Sequence, residues 1–427
     1  MTTKTHANMT AAMGVAFMVF FMAGFFTCLN GILVPRLKTL FELSFAKAML
    51  VQFAFFGAYF LLSLPAGRMI ARLGYKKTII TGLVLTGLGS LGFWPAAAVR
   101  LYPAFLTTLF ILAAGVTLLQ VSANPFVSLL GPEKTASSRL TLAQGFNSLG
   151  TTIAPIIGGW FILSGKLIAP DQLHAMPQLA QNAYHAELAS AVQRPYLILG
   201  LLSFLFAFLI YVLRFPSPKV ESDQTDATTH YTFADVFRYS HAIFGVLGIF
   251  TYVGAEVSIG SLMVNYFALP QIGGFTEAQA AGYASIYWAL AMCGRFLGSA
   301  LLTRFSPRHL LGIFAVMNVF LLILSVAMSG LAAVYTLVAI GLFNSIMFPT
   351  IFTLGIAQLG PLASRASSLI IMATMGGAIV PYIQGRIADF YGLQISFLMP
   401  ALCYLYIAFF GFWGARVRRA VEVEPSA

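Results

Sequence analysis

Long runs of apolar and small residues alternate along this chain with short polar breaks, many of them basic. A window of about 19 residues, the length that carries a helix across about 30 Å of hydrocarbon, separates these runs cleanly. The pattern predicts twelve membrane-spanning helices near 13–35, 46–66, 78–96, 102–130, 140–165, 194–214, 241–268, 279–303, 309–329, 331–357, 366–388 and 393–414. The two longest leave room for tilt or an interfacial turn. One span breaks the apolar rule at its middle: residues 252–261 read YVGAEVSIGS, which sets the carboxylate of Glu256 where a charge costs roughly 2.5 kcal/mol or more.

Composition agrees with the pattern. Hydrophobic residues make up 59% of the chain and charged residues 9%, whereas a soluble domain carries about 25% charged residues. The N-terminal MTTKTHANMT has no short apolar core with a small-residue cleavage site after it, so the first run is expected to stay as a span. A net charge of +11 could suggest a polyanion partner, but its placement argues for topology. With both termini inside, the inner loops collect Arg68, Arg72, Lys76, Lys77, Lys134, Arg139, Lys219, Arg238, Arg304, Arg308 and Arg365, and the tail adds Arg416, Arg418 and Arg419. That bias sets orientation, so no nucleic-acid partner is expected. Cys28, Cys293 and Cys403 all lie in spans without a CxxC pair, which points to neither a disulfide framework nor a metal site.

The chain repeats itself. ASSRLTLAQGFNSLGTTIAPIIGG (136–159) overlays ASRASSLIIMATMGGAIVPYIQG (363–385) without a gap from Arg139 and Arg365 onward. Gly150, Pro155 and Gly159 then fall on Gly376, Pro381 and Gly385. Weaker echoes pair ARLGYKK (71–77) with TRFSPRH (303–309), and NPFVSLLGP (124–132) with FPTIFTLGIAQLGP (348–361). The expected fold is an all-α membrane protein of two six-helix bundles, residues 1–214 and 241–427. The polar segment 215–240 joins them as a cytoplasmic linker, and a short cytoplasmic tail follows the second bundle. Parallel halves with a site between them at mid-membrane describe the major facilitator type of secondary transporter.

Motifs of energy-driven or hydrolytic enzymes do not accompany this pattern. GLGSLG (87–92) fits GxGxxG, but it sits inside an apolar span with no strand before it and reads as a small-residue stripe for close helix packing. HExxH, GxxxxGK[ST] and GxSxG do not occur, so neither enzymatic activity nor a cofactor is expected.

Several blocks carry a family resemblance: FFTCLNGILVPRLK (25–38), VQFAFFGAYFLLSLPAGRMIARLGYKK (51–77), QVSANPFVSLLGPE (120–133), SRLTLAQGFNSLGTTIAP (138–155), YVGAEVSIGSLMVNYF (252–267), MCGRFLGSALL (292–302) and FPTIFTLGIAQLG (348–360). In this order they resemble the fucose:proton symporter family of the major facilitator superfamily, and within it the glucose/galactose branch. The resemblance implies cation-coupled uptake of a monosaccharide across a bacterial inner membrane. It also implies that Gln144 and Asn147 match a sugar-contacting pair. Two places depart from the family pattern: Gly31 stands where an Asp follows the Asn of LND, and Gln120 stands where a Glu precedes the NP pair. Neither can take up a proton. In the basic loop GRMIARLGYKK, Ala71 holds the place of the superfamily's acidic gate residue, while Arg72 remains.

Glu256 therefore becomes the leading candidate for coupling, as the one carboxylate deep in a span. Proton uptake, Na⁺ ligation with nearby hydroxyl and carbonyl oxygens, hydrogen bonding to sugar, and a structural ion pair are the readings open to it. Arg295 is the matching cation in the eighth span, suited to gating or pairing at the inner face or to direct coupling. Arg72, Arg139 and Arg365 are expected in gating or structural roles.

Gln120 and Asn124 share one helical face, and Gln144, Asn147 and Thr151 share another, which gives a pyranose the donors and acceptors it needs. Asn30, Asn265, Asn344 and Gln384 are further substrate-binding candidates, and Tyr287 and Trp288 could cover the sugar's C–H face. Any of these polar groups could instead bond a neighbouring helix. The expected partners are a monosaccharide, H⁺ or Na⁺, and the lipid bilayer, with a monomer as the working unit. An uncoupled facilitator and an N-acetylglucosamine transporter are the alternatives. A membrane sugar sensor is disfavoured by the short tails.

Overall fold

The computed structural model describes residues 11–27, 45–99, 101–161, 176–213 and 232–417, and nearly all of them are helical. In chain order the helices are α1 (Ala11–Thr27), α2 (Phe45–Val99), α3 (Tyr102–Leu129), α4 (Ala136–Phe161), α5 (Gln178–Val212), the short α6 (Phe233–Val236), α7 (Ser240–Ala268), α8 (Glu277–Arg304), α9 (Pro307–Ala327), α10 (Gly330–Asn344), α11 (Met347–Gly355), α12 (Ala363–Met372), α13 (Gly376–Tyr391), α14 (Leu393–Ser396) and α15 (Leu398–Phe409). Among the described residues nine helices are long and apolar enough to cross a membrane.

Most predicted spans have a helix in place, and the differences have local causes. The second and third spans run together as α2, with only Gly74 leaving helical geometry at φ 78° inside the loop ARLGYKK. Glycine takes that left-handed turn without a Cβ penalty. The tenth span is divided into α10 and α11 by a turn at Ser345 and Ile346. Pro349 accounts for the break, because it has no N–H to offer the Ser345 carbonyl four residues back. The helix resumes when Thr350 N–H reaches the Ile346 carbonyl at 3.0 Å. The eleventh span changes pitch at the 3₁₀ turn Ala373–Met375. Helix α8 opens on a capping box: Thr276 Oγ1 accepts from Gln279 N–H, and Gln279 Oε1 accepts from Thr276 N–H.

The chain divides into two compact units, one of residues 1–123 and 146–217, the other of residues 124–145 and 218–427. In the first, α2 packs along α5. Gly150 on α4 lies so close to α1 that a Cβ there would strike the Phe21 carbonyl. In the second, α7 is the central element and packs against α8, α11, α13 and α15. Gly376, the repeat partner of Gly150, is pressed in the same way against the Phe250 carbonyl of α7. Each unit thus brings its repeated glycine onto its own leading helix.

Arg139 and Lys76 hold helix ends. Arg139 donates to the carbonyls of Val127, Ser128 and Pro132 at 3.2, 2.7 and 3.0 Å, which satisfies acceptors left over where α3 stops. Lys76 Nζ donates to the carbonyls of Tyr211 in the last turn of α5 and of Leu213 just past it.

Candidate functional site

The carboxylate flagged by the sequence stands on α7 with a donor one turn before it. Tyr252 is fully buried, and its O–H donates to Glu256 Oε1 at 2.8 Å. The i, i+4 spacing places the two side chains on one face. Arg295 reaches in from α8, with Nη2 4.0 Å from Glu256 Oε1, and both side chains are about one-sixth exposed. The same guanidinium donates through Nη1 to the Gln144 carbonyl on α4 at 3.4 Å. Gln144 Nε2 in turn donates to Asn124 Oδ1 at 3.4 Å, near the C-terminal end of α3. Glu256, Arg295, Gln144 and Asn124 therefore form one polar line within the second unit.

A second group of polar atoms meets the first at the break between α10 and α11. Besides Glu256, the Tyr252 hydroxyl lies 3.2 Å from the main-chain carbonyl of Asn344, the last residue of α10. The Asn344 side chain, 1% exposed, holds three partners. Its Oδ1 accepts from Asn318 of α9 at 2.8 Å and from Tyr404 of α15 at 2.7 Å, and its Nδ2 donates to the Tyr287 hydroxyl of α8 at 2.7 Å. Four helices are pinned at one amide.

The remaining candidates are dispersed. Gln120 is half-buried on α3. Asn147 is half-buried on α4 and donates to the Phe20 carbonyl of α1 at 3.0 Å. Asn265 is exposed near the end of α7. Trp288 is 46% exposed and meets Tyr287 edge-on, the ring centroids 5.0 Å apart, while Tyr287 itself is buried. Gln384 is buried on α13, where its Nε2 lies 3.4 Å from Ser396 Oγ and its Oε1 has no partner among the described residues. Arg72 is exposed, and Arg365 is half-buried at the start of α12. Asn30 and Gly31 lie outside the described residues. No group of three or more His, Cys, Asp and Glu side chains gathers among the described residues.

Three members of the cluster escaped the sequence reading: Tyr252, Asn318 and Tyr404. Tyr252 had a usable signal, the four-residue spacing to Glu256. Asn318 and Tyr404 had none, because one polar atom in an apolar helix does not say which neighbour it faces.

Comparison with known proteins gives the geometry a context. The pattern described as Major Facilitator Superfamily matches residues 15–379. The glucose/galactose transporter of Brucella abortus biovar 1 (strain 9-941) is 45% identical over 414 residues, which cover 97% of this chain and 96% of that protein. The L-fucose-proton symporter of Escherichia coli (strain K12) is 38% identical over 396 residues, covering 92% and 90%. A crystal structure of the E. coli fucose:proton symporter aligns with a TM-score of 0.87 at 36% identity, covering 95% of this chain and 98% of that one.

Proposed function

This chain belongs to the major facilitator superfamily, and from that premise we propose that it is a secondary transporter that takes up a hexose of the glucose/galactose type in symport with protons, Glu256 being the coupling group. The observation that carries the reading is the Tyr252–Glu256–Arg295 cluster, a carboxylate at the middle of a spanning helix with a phenol 2.8 Å and a guanidinium 4.0 Å away. A carboxylate there is costly, which makes it a functional-site candidate by default.

The character of the neighbours favours H⁺ over Na⁺. A hard cation needs several oxygens with free lone pairs. Around Glu256 the nearest groups are an O–H donor and a fixed positive charge. At an effective dielectric constant of about 20, unit charges about 4 Å apart interact by about 4 kcal/mol, which attracts Arg295 to the carboxylate and would repel a metal ion from the same place. A proton gives up the same attraction to Arg295, but it needs a single carboxylate oxygen and no shell of further oxygen ligands, and once bound it frees the guanidinium. The Gln144 carbonyl, already within 3.4 Å, then keeps a hydrogen-bond acceptor for Arg295. Protonation of Glu256 is thereby tied to the segment of α4 that carries Gln144, one of the groups to which we assign sugar hydroxyls.

For the sugar itself we assign Gln120, Asn124, Gln144 and Asn147 as hydrogen-bonding groups and Trp288 as the apolar cover. The protein is placed in the bacterial inner membrane with both termini cytoplasmic, acting as a monomer. Reconstituted liposomes loaded with an imposed pH gradient, or separately a Na⁺ gradient, test the reading through radiolabelled glucose and galactose uptake. Accumulation above equilibrium under the pH gradient alone is expected, lost in Glu256→Gln. Accumulation under Na⁺ alone would reassign the cation, and equilibration under both would leave a facilitator.

A further inference from the structure

Tyr252 has one proton and two acceptors. Its hydroxyl lies 2.8 Å from Glu256 Oε1 and 3.2 Å from the Asn344 carbonyl, and a single O–H cannot satisfy both well. The first acceptor changes character when Glu256 binds a proton. The second sits at the terminus of α10, immediately before the turn that interrupts the tenth span.

We propose that Tyr252 is a positioning residue that reports the charge state of Glu256 to the helix break at Asn344. With Glu256 charged, the phenol O–H points to the carboxylate, which is the stronger acceptor. With Glu256 protonated, the carboxyl O–H donates to the phenol oxygen, and the phenol rotates its own proton onto the Asn344 carbonyl. No covalent bond of Tyr252 breaks: the proton taken up stays on Glu256, and the phenol hydrogen turns about the C–O bond. The hydrogen bond gained or lost at Asn344 falls where the helix is already interrupted, since Pro349 leaves the Ser345 carbonyl without its helical donor. From Asn344 the change spreads through Asn318, Tyr287 and Tyr404, which reach its side chain from α9, α8 and α15. The inference rests on the reading of Glu256 as the coupling group.

Among the described residues, the ionisable groups around Glu256 are few. Tyr252 shares its helix; Arg295 and Tyr287 act on it from α8 and Tyr404 from α15. Helix α11 has no ionisable residue. On α13, Arg386 and Asp389 lie six and nine residues past Val380, which marks the contact with Gly254 of α7; α12 carries Arg365.

The test is the pH dependence of D-glucose affinity in the purified full-length protein. The native chain is expected to show a pH-dependent affinity and Glu256→Gln a flat one. In Tyr252→Phe, a relay predicts that the pH dependence is lost although Glu256 is present. A phenol that only hydrogen-bonds Glu256 predicts something else: the midpoint moves to higher pH and the full amplitude stays, which would overturn the relay. If Glu256→Gln keeps the native pH dependence, the reading of Glu256 fails instead. Should Tyr252→Phe not fold, hydrogen exchange over residues 344–350 of the native protein decides, after correction for the intrinsic pH effect on exchange. Protection there should change with the same midpoint as the affinity, and protection constant across that midpoint would overturn the proposal.

Discussion

Arg295 touches acceptors of different kinds, among them a carboxylate whose charge can change and a main-chain carbonyl whose charge cannot. Removing one partner of a buried ion pair usually costs about 3–5 kcal/mol, because the other charge is left uncompensated. Arg295→Leu is therefore expected to lower the melting temperature in detergent markedly, and the double variant Arg295→Leu/Glu256→Gln should recover part of the loss. Equal melting temperatures for the single and double variants would show that the two groups do not interact. At Asn344 the argument is about satisfaction, since each buried polar group left without a partner costs about 1–3 kcal/mol. Asn344→Leu should destabilise far more than Asn265→Leu, whose side chain is exposed. Glu256 was legible in the sequence because a carboxylate in an apolar run has no ordinary explanation. Asn344 was legible as a polar residue in a membrane helix and was expected to face sugar. Its engagement by Asn318, Tyr287 and Tyr404 depends on which side of α10 it occupies, and the mostly apolar run around it does not say which.

At the scale of elements, the repeated glycines give the sharpest contrast. Gly150 and Gly376 leave no room for a Cβ, whereas Gly14 and Gly385 have nothing within 4 Å of one. Gly150→Ala and Gly376→Ala are expected to reduce folded yield strongly and Gly14→Ala and Gly385→Ala to leave it unchanged, as read by size-exclusion profiles. The overlay of the two segments, free of gaps from Arg139 and Arg365 onward, had shown that these glycines correspond; what each touches required the helices to be packed. The turn at Ser345 and Ile346 was hidden in an unbroken apolar run, although Pro349 was its visible cause.

Another local prediction concerns α6, where the Thr232 N–H and Oγ1–H both donate to Asp235 Oδ2. Those bonds, with lesser help from Arg238 and Arg365, hold the Asp235 carboxyl below its ordinary value of 3.8. A depressed carboxylate stabilises above the unfolded value and loses that contribution as pH falls through the folded one. Protection of the Thr232 amide should accordingly persist at pH 5 and fade only below about pH 3.9.

Over the whole molecule, the length of the apolar runs was enough to read the helical content, because a bilayer imposes one solution on the backbone: every N–H and C=O must be satisfied inside the helix. The family was read instead from the resemblance of the ordered sequence blocks. Inner-loop charges and the internal repeat added orientation and halves as expectations. The grouping of residues 124–145 with 218–427 had no counterpart in the sequence, since it depends on contacts such as Ser137 with Thr353 and Ser138 with Ser299, far apart in the chain. The hydroxyl oxygens of Ser138 and Ser299 are 3.2 Å apart, compatible with a cross-link between cysteines at those places. If alternating access separates these helix ends once per cycle, the oxidised Ser138→Cys/Ser299→Cys protein, made with the native cysteines replaced by Ser, should stop transporting and recover on reduction.

The central claim is that sugar and proton cross together through Glu256. Its most direct test is the pH change outside weakly buffered proteoliposomes when glucose is added with no gradient imposed. The native chain is predicted to make the exterior alkaline as sugar enters, and Glu256→Gln to admit sugar without any pH change. Alkalinisation of equal size in Glu256→Gln, or none in the native chain while sugar enters, would contradict the account.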